Sequence, residues 1–572
     1  MKENTKKEKI LLVLLPFWTP LTPPLGITCL KGFLKTHDYK STAVDASAEE
    51  ELRQFSNQYF STLDRGIPAN KKGNFYSIVN NVIRNHQMAH INYKNEEQYL
   101  ELVKILIYKT FYTNLEKNHL VELAKIITGF YSRLETYFLD LLAREKPTVL
   151  GISVYSDTLP ASVFCFRLTR ARYPGIMTVM GGGVFADLLA PGSPNLDFFL
   201  EKTRNIIDKI VIGEGEHLFL KILEMKAKDE IHPETSKRVF TLADIDSQLL
   251  DLATVEPLDF SDFNLASYPY LVSYTSRSCP FQCAFCSETV QWGKYRKKSI
   301  PQVVKELKEL SRVNGSQLFL LGDSLLNPVI NKLADELHRT GESIYWEGWL
   351  RVSPGACDIG NTMKWRQAGF YHARLGIESG SPRILELMGK KIQVEQIKQT
   401  LFNLSMVGIK TTTLWIIGYP GETEEDFLQT LALIEELKDY IYEAEGTPFW
   451  YYLTGQSNSN EWRKKTSQLL YPEEARNMLV VQTWILTGEP TREETYTRLN
   501  RFTAHLNKLR IPNNYSLHDL YKADERWQKL HRNAVPPLVA FTGSNTFIDE
   551  NKKVQELSIT QDTELEDRGF GF

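Results

Sequence analysis

The sequence predicts an α/β protein with a doubly wound N-terminal sheet, a partial (β/α)6 barrel of six units and a mainly helical C-terminal domain. Two stretches of the chain alternate short apolar strands with helices, which is typical of right-handed βαβ units and parallel sheets. Glycine-rich turns follow several of these strands, at the edge where open parallel sheets bind ligands. Three closely spaced cysteines follow the first strand of the second stretch.

Composition narrows the class of protein. A chain of 572 residues is too long for one hydrophobic core, and 42% hydrophobic with 24% charged residues is typical of a soluble globular protein. The net charge of −3 predicts no general attraction to nucleic acid or to an anionic membrane. No apolar run reaches the roughly 18 to 20 residues of a membrane span. Three of the six cysteines lie within residues 279–286 instead of forming a spread disulfide framework, which predicts a reducing, cytoplasmic compartment.

The first α/β unit is predicted within residues 1–250. Residues 8–48 have the pattern of a strand, a proline-rich loop, a helix and a second strand, and a polar, aromatic-rich helical insertion follows at about 50–145. Because ligands bind beyond the carboxyl ends of parallel strands, we expect the loop at 24–26 and the later glycine turns to line a site. After the insertion, strands are predicted at 148–155, 176–180 and 209–212.

The second α/β unit is predicted within residues 251–450, and residues 451–572 form the C-terminal, mostly helical domain with a charged tail. Thr423, followed by three acidic residues, is expected to cap a helix that runs to Leu437. About six parallel units predict a partial barrel whose site lies at the carboxyl ends of its strands. These strands are predicted at 270–278, 316–322, 343–351, 371–378, 410–418 and 440–450.

Cys279, Cys283 and Cys286 carry the strongest chemical signal, in a C-x3-C-x2-C spacing directly after a predicted strand. Cubane iron–sulfur clusters usually take four cysteines, so three thiolates would leave one iron open to another ligand. Two alternatives remain. Zinc prefers four closed ligands, and no fourth cysteine or nearby histidine completes such a set. The three thiols could also be structural, although clustering on a loop that contains Pro280 disfavours this.

The triad, with Phe285 just before its last cysteine, resembles the signature of radical S-adenosylmethionine (SAM) enzymes. Segments 320–324, 375–381 and 415–423 are similar, in the same order, to the strand-end motifs of that superfamily. The resemblance implies a 4Fe-4S cluster on the three cysteines and bound SAM, with Arg351 a candidate for the SAM carboxylate because guanidinium binds carboxylate bidentately. The implied SAM-binding residues are Phe285, Gly322, Asp323, Ser324, Arg351, Glu378, Ile417, Gly418 and Tyr419.

The N-terminal unit resembles the Rossmann-like cobalamin-binding domains that are fused to radical SAM barrels. Many cobalamin domains supply a histidine to cobalt from an Asp-x-His-x-x-Gly loop, and none of the eleven histidines here fits that pattern. The resemblance therefore implies cobalamin without an axial histidine from that motif. The implied cobalamin-binding residues are Pro24, Leu25, Gly26, Ser153, Val154, Tyr155, Gly181, Gly182, Gly183, Gly213, Glu214 and Glu216.

These resemblances imply a reaction as well as cofactors. A cobalamin-dependent radical SAM enzyme cleaves SAM reductively to a 5′-deoxyadenosyl radical, with electrons from a donor such as flavodoxin or ferredoxin. Methylation of an unactivated carbon in a natural-product or peptide substrate is the expected outcome. Rearrangement, ring closure or epimerisation without methyl transfer is the alternative, and a zinc-stabilised, non-catalytic binding protein is a more remote one.

Two further expectations concern the kind of enzyme and its substrate. Methylthiotransferases carry three additional N-terminal cysteines, whereas only Cys29 and Cys165 precede the triad, so sulfur insertion is disfavoured. The sequence identifies neither the substrate nor a catalytic hydrogen donor. The region at about 455–549 is expected to close the substrate end. The aromatic residues that could line that end, or simply fill a core, are Trp450, Tyr451, Tyr452 and Trp484.

Overall fold

The structure is a computed structural model that describes residues 8–16, 20–228, 237–341, 343–456, 462, 467–513 and 517–531. Two six-stranded sheets form its framework, and each consists of parallel strands. The α/β fold class with two parallel-sheet units is therefore confirmed. The exact domain boundaries at 250 and 450 stay predictions.

The first sheet has the strand order β2-β1-β3-β4-β5-β6. Strand β1 is buried on both faces, as a central parallel strand must be, because Ile10 to Val13 are each at most 3% exposed. The order reverses between β1 and β3, and this switch point is where doubly wound sheets open a crevice for a ligand. The strands are β1 Lys9–Leu14, β2 Lys40–Asp45, β3 Val149–Ser153, β4 Met177–Gly181, β5 Lys209–Ile212 and β6 Val239–Thr241.

Eight helices accompany the first sheet in the described part of the chain. Four of them lie between β2 and β3, in the stretch at about 50–145 where a helical insertion is predicted. The helices are α1 Leu25–Thr36, α2 Glu50–Gly66, α3 Phe75–His90, α4 Glu96–Phe111, α5 Lys117–Glu145, α6 Leu159–Arg172, α7 Pro194–Lys202 and α8 Gly215–Ala227.

The second sheet has the order β14-β13-β12-β11-β10-β7. The single strand predicted at 270–278 is wrong, since the chain forms β7 and then a short strand β8 that pairs antiparallel with β9. The cause is Asp323, whose carboxylate accepts hydrogen bonds from the backbone and hydroxyl of Thr275 and draws the chain out of the sheet. The strands are β7 Leu271–Ser273, β8 Ser276–Arg277, β9 Arg296–Lys297, β10 Leu318–Leu321, β11 Tyr345–Leu350, β12 Phe370–Glu378, β13 Lys410–Ile417 and β14 Glu443–Pro448.

The helices of the second unit follow its strands in the expected alternation. The predicted cap is confirmed, because Thr423 and Asp426 form a reciprocal capping box at the start of α15. The helices are α9 Glu288–Trp292, α10 Ile300–Asn314, α11 Ile330–Thr340, α12 Ile359–Gln367, α13 Pro382–Leu387, α14 Val394–Met406 and α15 Glu424–Glu436.

The C-terminal segment is helical, as predicted, but it also contains an antiparallel pair of strands that the sequence did not indicate. The charged tail after residue 549 lies outside the described residues. Among the helices that are described, none is long and apolar enough to cross a membrane. The elements are β15 Ser467–Leu469, α16 Arg476–Leu479, β16 Trp484–Leu486, α17 Arg492–Leu509 and α18 Leu517–Leu530.

Candidate active site

The three cysteines of the triad lie on the loop between β8 and α9, at the carboxyl end of the second sheet. Backbone hydrogen bonds hold this loop in place. The amide of Cys286 donates to the carbonyl of Cys283 at 3.0 Å, and the amide of Ala284 donates to the carbonyl of Met388 at 2.9 Å. The second bond ties the loop to the turn after α13. The thiols are therefore presented by a fixed loop.

The surroundings of the thiols fit an electron-poor group that binds thiolates. Burial raises the pKa of Cys279, and it raises the pKa of Cys286 to about 12, so a bound cation is needed to favour the thiolate forms. Arg351 lies beside the loop, with Nη1 3.5 Å from Cys283 Sγ and the guanidinium 4.1 Å from the Phe281 ring centre. Its Nη2 is buried and has no hydrogen-bond partner among the described residues.

The spacing of the ligands bears on the zinc alternative. In the part of the chain that the structure describes, no three or more His, Cys, Asp or Glu side chains are grouped closely enough to hold one metal ion. A zinc ion needs every ligand within about 2.0–2.3 Å. Three thiols on one loop that do not converge on a single ion fit a larger, multi-iron group better. Arg351 Nη2 then remains available for the carboxylate of a second ligand.

The predicted SAM segment at 322–324 has a structural role in addition to its place at the site. Asp323 is 2% exposed and accepts hydrogen bonds from Thr275 and Ser276, just before the cysteine loop. The hydroxyl of Ser324 donates to Glu288 at the start of α9. Both side chains are thus committed to holding the cysteine loop, and Gly322 is the member of this segment that leaves backbone exposed to a ligand.

Glu378 ends β12 in a left-handed backbone conformation, with a φ of 73° that a non-glycine residue rarely adopts. Its carboxylate accepts a hydrogen bond from Lys390 Nζ at 2.6 Å. Lys390 also lies over the ring of Phe285 at 5.8 Å. The two predicted SAM residues Glu378 and Phe285 are therefore brought together by Lys390. Backbone strain of this kind is common where a side chain must face a ligand.

In the predicted SAM segment at 417–419, two residues belong to the core and one faces a cavity. Ile417 and Tyr419 are 1% and 3% exposed, whereas Gly418 lines a cavity. The amide of Gly418 donates to Glu422 Oε2 at 3.0 Å, and Arg498 also donates to this carboxylate at 3.1 Å. Burial raises the pKa of Glu422 to about 7 despite these donors. Sequence reasoning missed this buried carboxyl group.

A cavity of about 650 Å³, here called the glycine cavity, lies between the carboxyl edges of the two sheets. Its far wall belongs to the second unit and includes Tyr274, Arg277, Trp292 and Trp349. None of the described residues that line it is a histidine. Pro24, Val154 and Glu214, also predicted to bind cobalamin, do not line it. The predicted residues that do line it are Leu25, Gly26, Ser153, Tyr155, Gly181, Gly182, Gly183, Gly213 and Glu216.

Gly182 is required by the chain itself. Its φ is +115°, and a Cβ there would lie 2.5 Å from the carbonyl oxygen of Val154 and 2.6 Å from its amide nitrogen. A side chain at this position would therefore clash with the loop at Val154, whatever occupies the cavity. Gly26 differs, because a Cβ there would meet only Tyr155 and Ser153 at 3.8 and 3.9 Å. The backbone at Gly26 is open to the cavity.

Two predicted cobalamin residues, Glu214 and Glu216, also join the two units. Arg277, two residues before the cysteine loop begins, donates to Glu214 at 2.5 Å and to Glu216 at 2.6 Å. Arg296 donates to Glu214 as well, at 2.9 Å. Burial would raise the pKa of Glu214, but Arg277 and Arg296 together hold it below its usual value. This ion-pair cluster fixes the cysteine loop against the carboxyl edge of the first sheet.

A second cavity, of about 640 Å³ and here called the aromatic cavity, lies beside the first. Helix α3 of the insertion, the loops after β3 and β4, the loop after β13 and the segment around β16 all contribute to it. Tyr155 lines both cavities. No pattern in the sequence indicated that α3 borders a cavity, since its polar residues resemble an ordinary helix surface. The four aromatic residues predicted for the substrate end, Trp450, Tyr451, Tyr452 and Trp484, all line this cavity.

Comparison with known proteins defines the class first. Residues 273–434 match the family model of the radical SAM superfamily. This stretch contains the cysteine loop and the strands from β8 to β13, so this part of the chain matches a radical SAM domain.

The whole fold is then shared with a more particular group. The structure of the radical SAM methyltransferase TsrM from Kitasatospora setae, with cobalamin and a 4Fe-4S cluster bound, superposes with a TM-score of 0.60. The superposition covers 96% of this chain and 100% of that one at 14% sequence identity. The chain therefore has the fold of a cobalamin-dependent radical SAM enzyme, and the resemblance stated from the sequence is confirmed.

Proteins that are similar in sequence are named for more than one activity. An uncharacterized methyltransferase of Pyrococcus horikoshii is 26% identical over 377 residues, which cover 60% of this chain and 78% of that protein. The anaerobic magnesium-protoporphyrin IX monomethyl ester cyclase of Rubrivivax gelatinosus is 25% identical over 315 residues, covering 51% of this chain and 54% of the cyclase. The alignment with the cyclase thus spans about half of either protein.

Proposed function

We propose that this chain is a cobalamin-dependent radical SAM enzyme that methylates an unactivated carbon of a small-molecule or peptide substrate. One observation carries the proposal: two adjacent cavities share Tyr155, and the glycine cavity between the carboxyl edges of the two sheets is lined by Ser278 at the start of the cysteine loop. A methyl carrier and a substrate need such neighbouring sites, because transfer requires the reacting atoms to be held close together.

The residues of each site would divide the work. Cys279, Cys283 and Cys286 would hold the cluster, and Arg351 Nη2 is free to bind the carboxylate of SAM. The glycine cavity would hold cobalamin against exposed backbone at Gly26. When bound, the cluster supplies the electron that cleaves SAM into methionine and a 5′-deoxyadenosyl radical, and cobalamin supplies a carrier for the methyl group.

The relatives support this assignment. TsrM is a methyltransferase with cobalamin and a cluster bound, and its fold covers nearly the whole of this chain. The archaeal relative is also named a methyltransferase. We further propose that a reduced flavodoxin or ferredoxin is the electron donor.

Isotope labelling tests the net reaction. The reduced protein, reconstituted anaerobically with iron, sulfide and hydroxocobalamin, is incubated with methyl-deuterated SAM and candidate small molecules or peptides, and products are identified by mass spectrometry. We expect a product that gains one methyl group with all three deuterons. S-adenosylhomocysteine and 5′-deoxyadenosine should form in near-equal amounts, because one SAM supplies the methyl group and another the radical.

Ring closure is the second candidate, favoured by the similarity to the anaerobic cyclase. The same experiment separates the two reactions. Substrate-dependent 5′-deoxyadenosine without S-adenosylhomocysteine, together with a product of unchanged carbon count, would replace methylation with cyclisation or rearrangement.

A further inference from the structure

The aromatic cavity contains a buried cation that has no hydrogen-bond or ion-pair partner among the described residues. Arg84 on α3 is 8% exposed and lines this cavity, and it forms no hydrogen bond or ion pair with the described residues. Buried arginines are almost always paired, because a charge taken out of water must be compensated. An unpaired guanidinium in a cavity therefore indicates a site for an anionic group of a ligand, and its planar fork suits a carboxylate.

Two carboxyl groups line the same cavity. Asp157 has no hydrogen-bond donor among the described residues, and it does not form an ion pair with Arg84 although both line the cavity. Asp187 accepts hydrogen bonds from Ser156 and from the amide of Leu188. Burial raises the pKa of both carboxyl groups, that of Asp187 to about 6, and Arg84 opposes the rise for each. Arg84 therefore favours the charged form of each carboxyl group.

The remaining wall offers flat apolar surface and unused hydrogen-bonding atoms. Trp450, Tyr451 and Tyr452 come from the segment after β14, and Trp484 from β16. The indole Nε1 of Trp484 and both side-chain polar atoms of Gln482 are buried without a hydrogen-bond partner among the described residues. Gln482 is only 4% exposed. Buried polar atoms are normally satisfied, so these also indicate a ligand.

We infer that the aromatic cavity binds an aromatic α-amino acid, with its carboxylate on Arg84 and its ammonium group on Asp157. Each charge in the cavity selects against a simpler ligand. A purely anionic molecule would face Asp157 and Asp187, and a purely cationic one would face Arg84. A zwitterion pairs with both, and a flat side chain fits between the aromatic walls. This inference deepens the proposed function and rests on it for the cavity being the substrate site.

The position of the cavity agrees with that role. Tyr155 separates it from the glycine cavity, and Gly418 borders it at the end of β13. Gln456, beside the aromatic segment, donates from Nε2 to the carbonyl of Phe285 in the cysteine loop at 2.9 Å. An amino acid bound to Arg84 would thus extend toward both edges at which the two cofactors are proposed.

Binding measurements on the full-length, anaerobically reconstituted protein test the inference. The probes are L-tryptophan, L-tyrosine and L-phenylalanine, each with its amide, which lacks the carboxylate, and its deaminated acid, which lacks the ammonium group. Equilibrium dialysis with mass spectrometry gives the affinities. We expect at least one amino acid to bind about tenfold or more tightly than both of its analogues, since each analogue loses a charge-assisted hydrogen bond.

Variants assign each charge to its partner. Arg84→Gln should weaken binding of the amino acid about tenfold or more but leave binding of the amide nearly unchanged. Asp157→Asn should also weaken binding of the amino acid about tenfold or more, but it should leave binding of the deaminated acid nearly unchanged. Arg65→Gln is the control, because Arg65 is largely exposed at the surface and pairs with Glu122. It should not change binding.

Three results would overturn the inference: no amino acid binds, the analogues bind as well as the parent compounds, or Arg84→Gln weakens SAM instead. Iron content and 5′-deoxyadenosine formation are measured on the same samples. If they are absent while amino-acid binding depends on Arg84, the proposed function fails and the binding assignment stands. If they are present and binding is absent, the reverse holds.

Discussion

The carboxyl edges of the two sheets are built differently although both sheets are parallel and six-stranded. The edge of the first sheet offers mainly glycine backbone, at Gly26, Gly181 and Gly213, to the glycine cavity. The edge of the second sheet offers charged side chains that are already engaged, as in the pair of Glu378 with Lys390 and the hydrogen bonds of Asp323.

This difference indicates two modes of recognition. An edge of bare backbone selects a ligand by shape, because any added side chain would occupy its space. An edge of buried, paired charges selects by charge and geometry, and it holds the cysteine loop in place while doing so. Each edge should therefore fail in its own way when it is altered.

The largest effect is expected at the second edge. Each of Cys279→Ala, Cys283→Ala and Cys286→Ala should abolish 5′-deoxyadenosine formation, because two thiolates cannot anchor the cluster. Iron and labile sulfide are counted after anaerobic reconstitution. Cobalamin binding should be kept, since the glycine cavity is not lined by these residues.

Cys357→Ala is the matched control for the triad. Its thiol contacts the carbonyl of Gln396, away from the loop, and its loss should leave iron content unchanged. A triad variant with a full, reducible cluster would show that the loop has another purpose.

A smaller effect is expected at the first edge. Gly26→Leu should weaken cobalamin binding about tenfold or more and leave the cluster intact, because a Cβ there makes only ordinary contacts with Tyr155 and Ser153 and the rest of the side chain occupies the glycine cavity. Cobalamin binding is measured as the absorbance of the hydroxocobalamin that stays with the protein after gel filtration. Gly175→Leu is the control, since a Cβ there meets nothing within 4 Å. Equal retention in both variants would place cobalamin elsewhere.

The smallest effect is expected in the pH dependence of stability, through the buried Glu422 at the second edge. The pKa of Glu422 is raised by burial from 4.5 to about 7, so its carboxyl group favours the folded state below pH 4.5, and this contribution is lost as pH rises through 7. Glu422→Gln mimics the protonated group. The variant should therefore gain thermal stability relative to the natural protein as the pH rises from 4.5 to about 7, by at most about 1.4 kcal/mol per pH unit.

A control three residues further along the chain, in the first turn of α15, makes this measurement specific. Glu425→Gln replaces an exposed carboxylate, and its thermal stability should depend on pH in the same way as that of the natural protein. If the stability of Glu422→Gln also depends on pH in that way, Glu422 does not have a raised pKa.

Local pattern predicted much of the framework. Strand β5 lies at 209–212, where an apolar run between charged and glycine residues placed it, and Thr423 caps α15 as its sequence context indicated. Both features depend on neighbours within a few residues. The order of the sheet strands and the split of β7 from β8 depend on contacts such as Asp323 with Thr275, which are far apart in sequence.

The candidate site was predictable only where motifs are contiguous. The cysteine loop and glycine turns could be found from spacing, and the glycine cavity brings most of the turns together. Arg84 could not be found, because its role depends on α3 lying near loops that follow β3 and β13. Glu214 has a motif position, but its partner Arg277 lies 63 residues away, so its contact was not visible in sequence.

Tyr155 has a thermodynamic consequence for the whole molecule. Tyr155 is 47% exposed and forms a wall of both cavities, so an occupant of one cavity that turned this ring would change the shape of the other. The two occupants would then be heterotropic effectors of each other, and the factor by which one changes the affinity of the second would have to equal the factor in the reverse direction. Through this one tyrosine, binding in each cavity would be linked to binding in the other.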